Sequence, residues 1–256
     1  MWLVLGQHHD VEARWVAAGL GERADRPVVL VTDATLVHDC RWELRVGSTG
    51  ASSRLVLGDG TVLDPTSVDA VVNRLCWLGA EAFAGASDRD RDYATNELFA
   101  LGLAWLESLG GRVVNRPAGN GLAGSWRRTA EWRTLARTVG LPIVAYDSDD
   151  PEAEQLTFDP TDRVVLVLDG EVIDRGSGSG SGLLPPALGD GLVRLQRAAG
   201  LDLLEARLSP RSGDGSDAGA GWALRSASFL PPMSLFGDVG LDALHKALIA
   251  RDGIGR

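Results

Sequence analysis

Two short apolar runs, Trp2–Leu5 and Pro27–Thr32, flank a stretch of helical character, Val11–Leu20. Strands this uniformly apolar are buried on both faces. Two of them joined through a helix mark a βαβ unit in a parallel sheet. A third run, Val68–Asn73, extends the pattern, so the first half reads as an α/β layer system. The turn after the first strand, Gly6-Gln7-His8-His9, carries no G-x-G-x-x-G, so the dinucleotide fingerprint of such sheets is missing. Trp42–Val46 and Arg54–Leu57 read as edge strands, the second turning at Gly58-Asp59-Gly60 into Val62-Leu63. A charged run, Ser87–Asp92, precedes an amphipathic helix expected over Tyr93–Leu109, with Leu98, Leu101, Trp105 and Leu109 on one face and Gly110-Gly111 closing it.

The stretch Arg112–Tyr146 joins the two halves. Arg112–Asn115 reads as a strand, Pro117–Gly124 as a Gly-rich loop, and Ser125 as the cap of a helix running to Gly140. Trp126, Thr129, Trp132 or Arg133, and Ala136 recur there at helical spacing, and Leu141–Tyr146 follows as a strand. The domain boundary is expected in Ala118–Gly124, giving halves 1–117 and 118–256. The second half continues with an acidic segment, Asp147–Pro160, and a hairpin of Arg163–Leu168 with Glu171–Ile173 about Asp169-Gly170. Gly176–Gly182 (GSGSGSG) is a flexible loop by composition. A helix at Leu192–Gly200, strands at Leu201–Leu208 and Trp222–Ala227 around the loop Arg211–Gly221, and a terminal helix at Leu241–Ala250 complete the chain.

The formal net charge of −10 argues against bulk nucleic-acid binding, which needs a basic footprint. No apolar run approaches the ~18 residues of a membrane span. The N-terminus reads as a strand rather than a signal peptide, and two cysteines, Cys40 and Cys76, fit a reducing cytoplasm. Lys and Arg total 25, and Lys246 is the single lysine. The basic side chains are therefore almost all guanidinium groups, which cannot act as compact, titratable ammonium ions. Arg127-Arg128 at a loop–helix junction has the chemistry to hold a phosphate or carboxylate, or forms a solvated basic turn. His8-His9 with Asp10, at the carboxyl end of the first strand, reads as an acid/base or weak metal pair, or as a surface turn. Asp88, Asp90 and Asp92 alternate with Arg89 and Arg91 as a solvated charge run. No Ser/His/Asp or Cys/His triad assembles by spacing.

Taken together, Val72-Asn73-Arg74, then Glu97 on a helix, then Val114-Asn115-Arg116-Pro117, then a helix ending in Val139-Gly140-Leu141-Pro142, resemble the ATP-grasp superfamily. The closest resemblance is to the peptide and ribosomal-protein glutamate ligases and the graspetide macrocyclases. Asp162–Ile173 is similar to that family's "d-x-R-v-x-v-x-g-x-x-v" hairpin, Leu192–Leu208 to its "G-l-x-x-x-x-x-D-l" element, and Trp222–Pro231 to its terminal "E-v-N-p". The resemblance implies an α/β fold: a Rossmann-like pre-ATP-grasp domain followed by a reduced ATP-grasp-like α+β domain. It also implies ATP and Mg²⁺ as cofactors and carboxylate–amine ligation as the activity.

The departures run against that activity. The family's phosphate lysine at the start of the helix falls on Arg127, Arg128 or Thr129. Its second lysine belongs to a lid subdomain, for which Tyr146 to Asp162 leaves room for only about 15 residues. The metal-ligand Asp falls on Arg207, and the Glu and Asn fall on about Arg225 and Ala227. A divalent ion ~4 Å from one guanidinium, at an effective dielectric near 20, is opposed by roughly 8 kcal/mol. The expectation is therefore a degenerate ATP-grasp-like protein without a cofactor, its Arg74, Arg116, Arg127, Arg128, Arg207 and Arg225 lining a cleft that takes a peptide or an anionic small molecule. It would otherwise serve as a partner subunit of an enzyme or as a homodimer. The alternatives are an active ligase completed by a partner, and a plain α/β interaction scaffold.

Overall fold

The computed structural model describes residues 1–48, 50–79, 83–144, 161–175, 184–210 and 221–252. The segment Asp147–Pro160, the run Gly176–Gly182, positions 211–220 and the end of the strand expected at Leu141–Tyr146 lie outside the described residues. So does the stretch on which the missing lid was inferred.

Met1–Ser125 and Leu241–Arg256 form one compact unit, and Trp126–Gly240 forms another. The expected halves 1–117 and 118–256 differ from these units in two respects. The loop from Ala118 to Ser125 groups with the first unit, and so does the chain from Leu241 onward.

In the first unit the order is β1 (Trp2–Gly6), α1 (Val11–Gly21), β2 (Val28–Thr32), α2 (Asp33–His38), β3 (Cys40–Gly47), β4 (Gly50–Leu57), β5 (Val62–Leu63), β6 (Ala70–Asn73), α3 (Asp88–Leu109) and β7 (Val113–Val114). A parallel sheet has the order β2-β1-β6-β7, as the buried-strand pattern required. An antiparallel sheet, β3-β4-β5, stands beside it in sequence. Alternation splits β1 between two faces. Leu3 and Leu5 enter a core with Val71, Leu98, Trp105, Leu106 and Leu109, whereas Trp2 meets His245 edge-on at 5.3 Å. Gly19 lets the terminal helix approach, since a Cβ there would stand 2.5 Å from Leu241.

Two corrections concern helix starts. The α3 helix begins at Asp88, not Tyr93, because the Ser87 hydroxyl accepts the Asp90 N–H (3.2 Å) and turns the charge run into the first helical turns. The short α2 was not expected at all; its cap is Thr32, whose hydroxyl accepts the Thr35 N–H (3.2 Å).

The second unit holds α4 (Thr129–Thr138), β8 (Arg163–Leu168), β9 (Glu171–Asp174), α5 (Pro186–Ala199), β10 (Leu203–Pro210) and β11 (Trp222–Ser228), and α6 (Gly237–Arg251) begins in it. Its sheet is antiparallel in the order β11-β10-β8-β9. The Asp169-Gly170 turn has both residues at positive φ (50° and 83°), as a tight hairpin matched to strand twist requires. Trp132 and Ala136 of α4 and Leu188, Leu192 and Leu195 of α5 pack on Val165, Val167, Leu204, Ala206, Leu208 and Leu224 of the sheet. The expected helix at Leu192–Gly200 begins earlier, at Pro186, and ends at left-handed Gly200. A further correction applies to α4. It starts at Thr129 rather than after Ser125, because the Glu131 carboxylate accepts the Arg128 N–H (2.7 Å) and fixes Arg128 as the cap.

Candidate functional site

In the second unit the β10 residues Leu204, Ala206 and Leu208 belong to the helix-covered core. Strand alternation therefore places Glu205, Arg207 and Ser209 on the opposite face. Arg207 Nε lies 2.6 Å from Glu205 Oε1. A register shift between Arg207 and Leu208 interrupts the pairing of β10 with β11. Just past it, Arg225 Nε reaches Ser209 Oγ (2.7 Å) and Asp162 Oδ2 (3.3 Å). The Ser209 hydroxyl in turn donates to Asp162 Oδ1 at 2.5 Å. The Asp162 side chain is 2% exposed and that of Glu205 3%. Two buried carboxylates, Glu205 on β10 and Asp162 just before β8, are thus each held by an arginine, and the four charges sum to zero.

This arrangement decides how the site suits a divalent ion. Mg²⁺ needs oxygen ligands in near-octahedral array. Both carboxylates of this face are engaged with guanidinium groups, and among the described residues no group of three or more His, Cys, Asp or Glu is placed to hold a metal. The Glu205 and Asp162 carboxylates are thus committed to guanidinium groups.

Arg127 and Arg128 stand immediately before α4, not in its first turn. The Arg127 guanidinium lies 5.2 Å from the Trp132 ring centre, Arg128 is exposed, and Trp126 beside them is about half exposed. A hollow of about 330 Å³ opens along Arg127, Ala130, Glu131, Thr134, Leu135 and Thr138. The Glu131 carboxylate already occupies one N–H of this helix terminus.

The first unit places Arg74 and Arg116 differently. Arg74 is buried, and its Nε donates to Asp10 Oδ2 (2.9 Å). Asp10 also caps α1, accepting the N–H groups of Glu12 and Ala13. Arg74 therefore fastens β6 to the start of α1. Arg116 is exposed. The buried Asn73 amide donates to the carbonyls of Asn115 (3.2 Å) and Leu122 (2.7 Å), which pins the Gly-rich loop and gives Asn73 a structural role, while Asn115 stands at a positive φ of 58°.

At the carboxyl ends of β1, β2 and β6 sits a network that sequence reasoning only touched through His8-His9. Buried Asp33 accepts the His8 N–H (2.5 Å) and a Gln7 amide N–H (3.0 Å), and His8 Nδ1 lies 3.2 Å from both of its oxygens. Gln7 also accepts from Cys76 N–H (3.0 Å). Asp33 and Gln7 were missed because their partners lie 25 to 70 residues away. Burial pushes the Cys76 thiol up to about 11, which removes it as a nucleophile near neutrality.

No protein-family model matches the chain, and no curated protein matches it. Solved structures do. The macrocyclase MdnC of Microcystis aeruginosa MRC, bound with precursor peptide MdnA, superposes with a TM-score of 0.69 at 12% identity, over 97% of this chain and 99% of that one. A RiPP-associated ATP-grasp ligase of Chryseobacterium gregarium, in complex with ADP and a leader and core peptide, gives 0.66 at 11% identity, with 98% of each chain covered. The ATP-grasp ligase PsnB, complexed with precursor peptide PsnA2 and AMPPNP, gives 0.64 at 16% identity, over 98% of this chain and 97% of that one. This chain has the ATP-grasp ligase fold. The α/β architecture expected from the resemblance is thereby borne out. Among the described residues, no helix of this ATP-grasp-fold chain is long and apolar enough to cross a membrane.

Proposed function

We propose that this chain is a catalytically degenerate member of the peptide-ligase branch of the ATP-grasp fold. In this reading it binds an acidic peptide or a related anionic molecule and acts in peptide modification beside an active enzyme, in a reducing cytoplasm. One observation carries the reading: Arg207 and Arg225, at positions where the resemblance expects metal ligands, are bound to the buried carboxylates Glu205 and Asp162. A divalent ion there would have to displace two charge-assisted pairs and then face both guanidinium groups. The proposed contact surface is the start of α4, where Arg127, Arg128 and exposed Trp126 combine positive charge with apolar area. Arg116 is a further exposed guanidinium of the first unit, and Arg74, Arg207 and Arg225 serve as framework residues within their own units, each paired with a carboxylate. The precursor peptides bound by several structurally similar ligases are the natural first probes.

The test is a titration of acidic and neutral peptides against the wild type and against Arg128→Glu and Arg207→Glu. Binding of the acidic peptide that falls at least tenfold in Arg128→Glu supports the assignment. Binding that survives both changes contradicts it. The second reading, an ATP-dependent carboxylate–amine ligase completed by a partner, draws on the two carboxylates that remain on the β10 face. ADP release on mixing with the products of neighbouring genes would establish it, and no turnover in any combination would end it.

A further inference from the structure

The antiparallel sheet β3-β4-β5 has one apolar face. Leu55, Leu57 and Leu63 enter the core, so alternation sends Arg41, Glu43 and Arg45 of β3, with Ser52 and Arg54 of β4, to the outer face. The register sets Glu43 directly opposite Arg54, and Arg45 opposite Ser52. Opposite charges so placed stabilise a sheet when they meet. These do not meet. Glu43 turns to its own strand, where Arg41 Nη2 lies 2.7 Å from Oε1. Its Oε2 lies 3.9 Å from both Arg45 Nη2 and Arg54 Nη1, beyond hydrogen-bond reach of either. Among the described residues, neither of these two guanidinium groups, nor the Ser52 hydroxyl, has a hydrogen-bond partner.

Arg45, Ser52 and Arg54 line a hollow of about 360 Å³, together with Glu43 and the loop Asp64-Pro65-Thr66. The Asp64 carboxylate is turned into that loop: its Oδ1 accepts the N–H groups of Thr66 (2.9 Å) and Ser67 (3.1 Å) and the Thr66 hydroxyl (2.6 Å). Arg41 offsets Glu43, which leaves Arg45 and Arg54 as two uncompensated positive charges on a chain of formal net charge −10. All of these residues belong to the first unit.

We propose that this face binds a phosphate group between Arg45 and Arg54, as the free ion or as a small monoester. A phosphate near neutral pH carries close to two negative charges and several strong acceptor oxygens. That matches two guanidinium forks, which grip oxyanions bidentately, and one hydroxyl donor. A lone carboxylate brings one charge and two oxygens and leaves a fork unused. The hollow has the volume of a small-molecule site, so beyond the phosphate it has room for the organic part of an ester, along Pro65 and Thr66.

The test is calorimetric titration of the full chain with inorganic phosphate and with glycerol 3-phosphate, at fixed ionic strength. Saturable binding with a dissociation constant below about 1 mM is expected. Arg45→Gln and Arg54→Gln each weaken it about tenfold or more, whereas Arg89→Gln, which removes an equal charge from the exposed start of α3, changes it by less than about twofold. Arg45 and Arg54 are exposed, so the unliganded variants unfold at the wild-type temperature. Tighter binding of the ester assigns the rest of the hollow to its organic part, and tighter binding of inorganic phosphate assigns the site to the free ion; both support the proposal. No saturable binding of either in the millimolar range overturns it. So does binding that survives both substitutions, which would place it elsewhere. An equal loss in Arg89→Gln also overturns it, since the effect would then be one of net charge.

Discussion

Replacing Arg225 by methionine removes the guanidinium that holds Asp162 while keeping most of the side-chain volume. Nε and Oδ2 are 3.3 Å apart. At an effective dielectric near 20 their attraction is about 5 kcal/mol. Part of that is returned as hydration, because the Arg225 side chain is 32% exposed, whereas Asp162 is 2% exposed and recovers little water. Loss of one partner of a fully buried pair costs about 3–5 kcal/mol. The half-open geometry, and the Ser209 hydroxyl that still donates to Asp162, reduce this to about 2–3 kcal/mol. Urea unfolding monitored by circular dichroism reads the difference directly, and the melting temperature should fall by about 5–10 °C. Asp162→Asn in the Arg225→Met background should recover about half of the loss, a coupling measurable by double-mutant cycle. A loss below about 0.5 kcal/mol, or simple additivity, would show that the guanidinium is not locked to the carboxylate. A metal could then claim that oxygen.

Other consequences follow from the same geometry. Asp33→Asn leaves the His8 and Gln7 donors with a weaker acceptor and should cost about 1–3 kcal/mol in urea unfolding, and no change would show that the network is not formed in solution. Trp105→Ala empties a fully buried position against Trp42 and should cost about 3–5 kcal/mol; a loss under 1 kcal/mol would contradict the core described. Burial pushes the Cys40 and Cys76 thiols up to about 11, above the free thiol. Both are therefore neutral in the folded chain where unfolded thiols already ionise. Stability from this source is intact below about pH 9 and lost as pH rises toward 11, and alkylation by iodoacetamide should accelerate about tenfold per pH unit over that range. Rapid alkylation at pH 7 would contradict this.

The layer structure was legible wherever one face or both were uniformly apolar. β1 and β8 came directly from the runs Trp2–Leu5 and Arg163–Leu168, because burial on both sides leaves little room for polar residues, whereas β10 showed only through its apolar face, Leu204, Ala206 and Leu208. Helix starts were less legible. Ser87 and Thr32 cap helices whose first turns are polar, so hydrophobic period gives no sign of them there. Arg128 is a cap only because Glu131 reaches back to its N–H. Within the candidate site, the Glu205–Arg207 pair follows from spacing two on a strand. The Arg225–Asp162 contact does not, since it depends on the register shift after Arg207 and joins residues 63 positions apart. The Asp10–Arg74 and Gln7–Asp33 pairs were hidden for the same reason: loops at the ends of parallel strands bring together residues that no local pattern connects.

The most direct measurement is thermal unfolding of the full chain with ATP at millimolar concentration, with and without Mg²⁺. A ligand at a hundred times its dissociation constant adds about 2.7 kcal/mol, several degrees for a chain of this size. The account predicts the same melting temperature with and without Mg²⁺, because Arg207 and Arg225 hold the carboxylates the ion would need. A rise that appears only when Mg²⁺ and ATP are both present would contradict it.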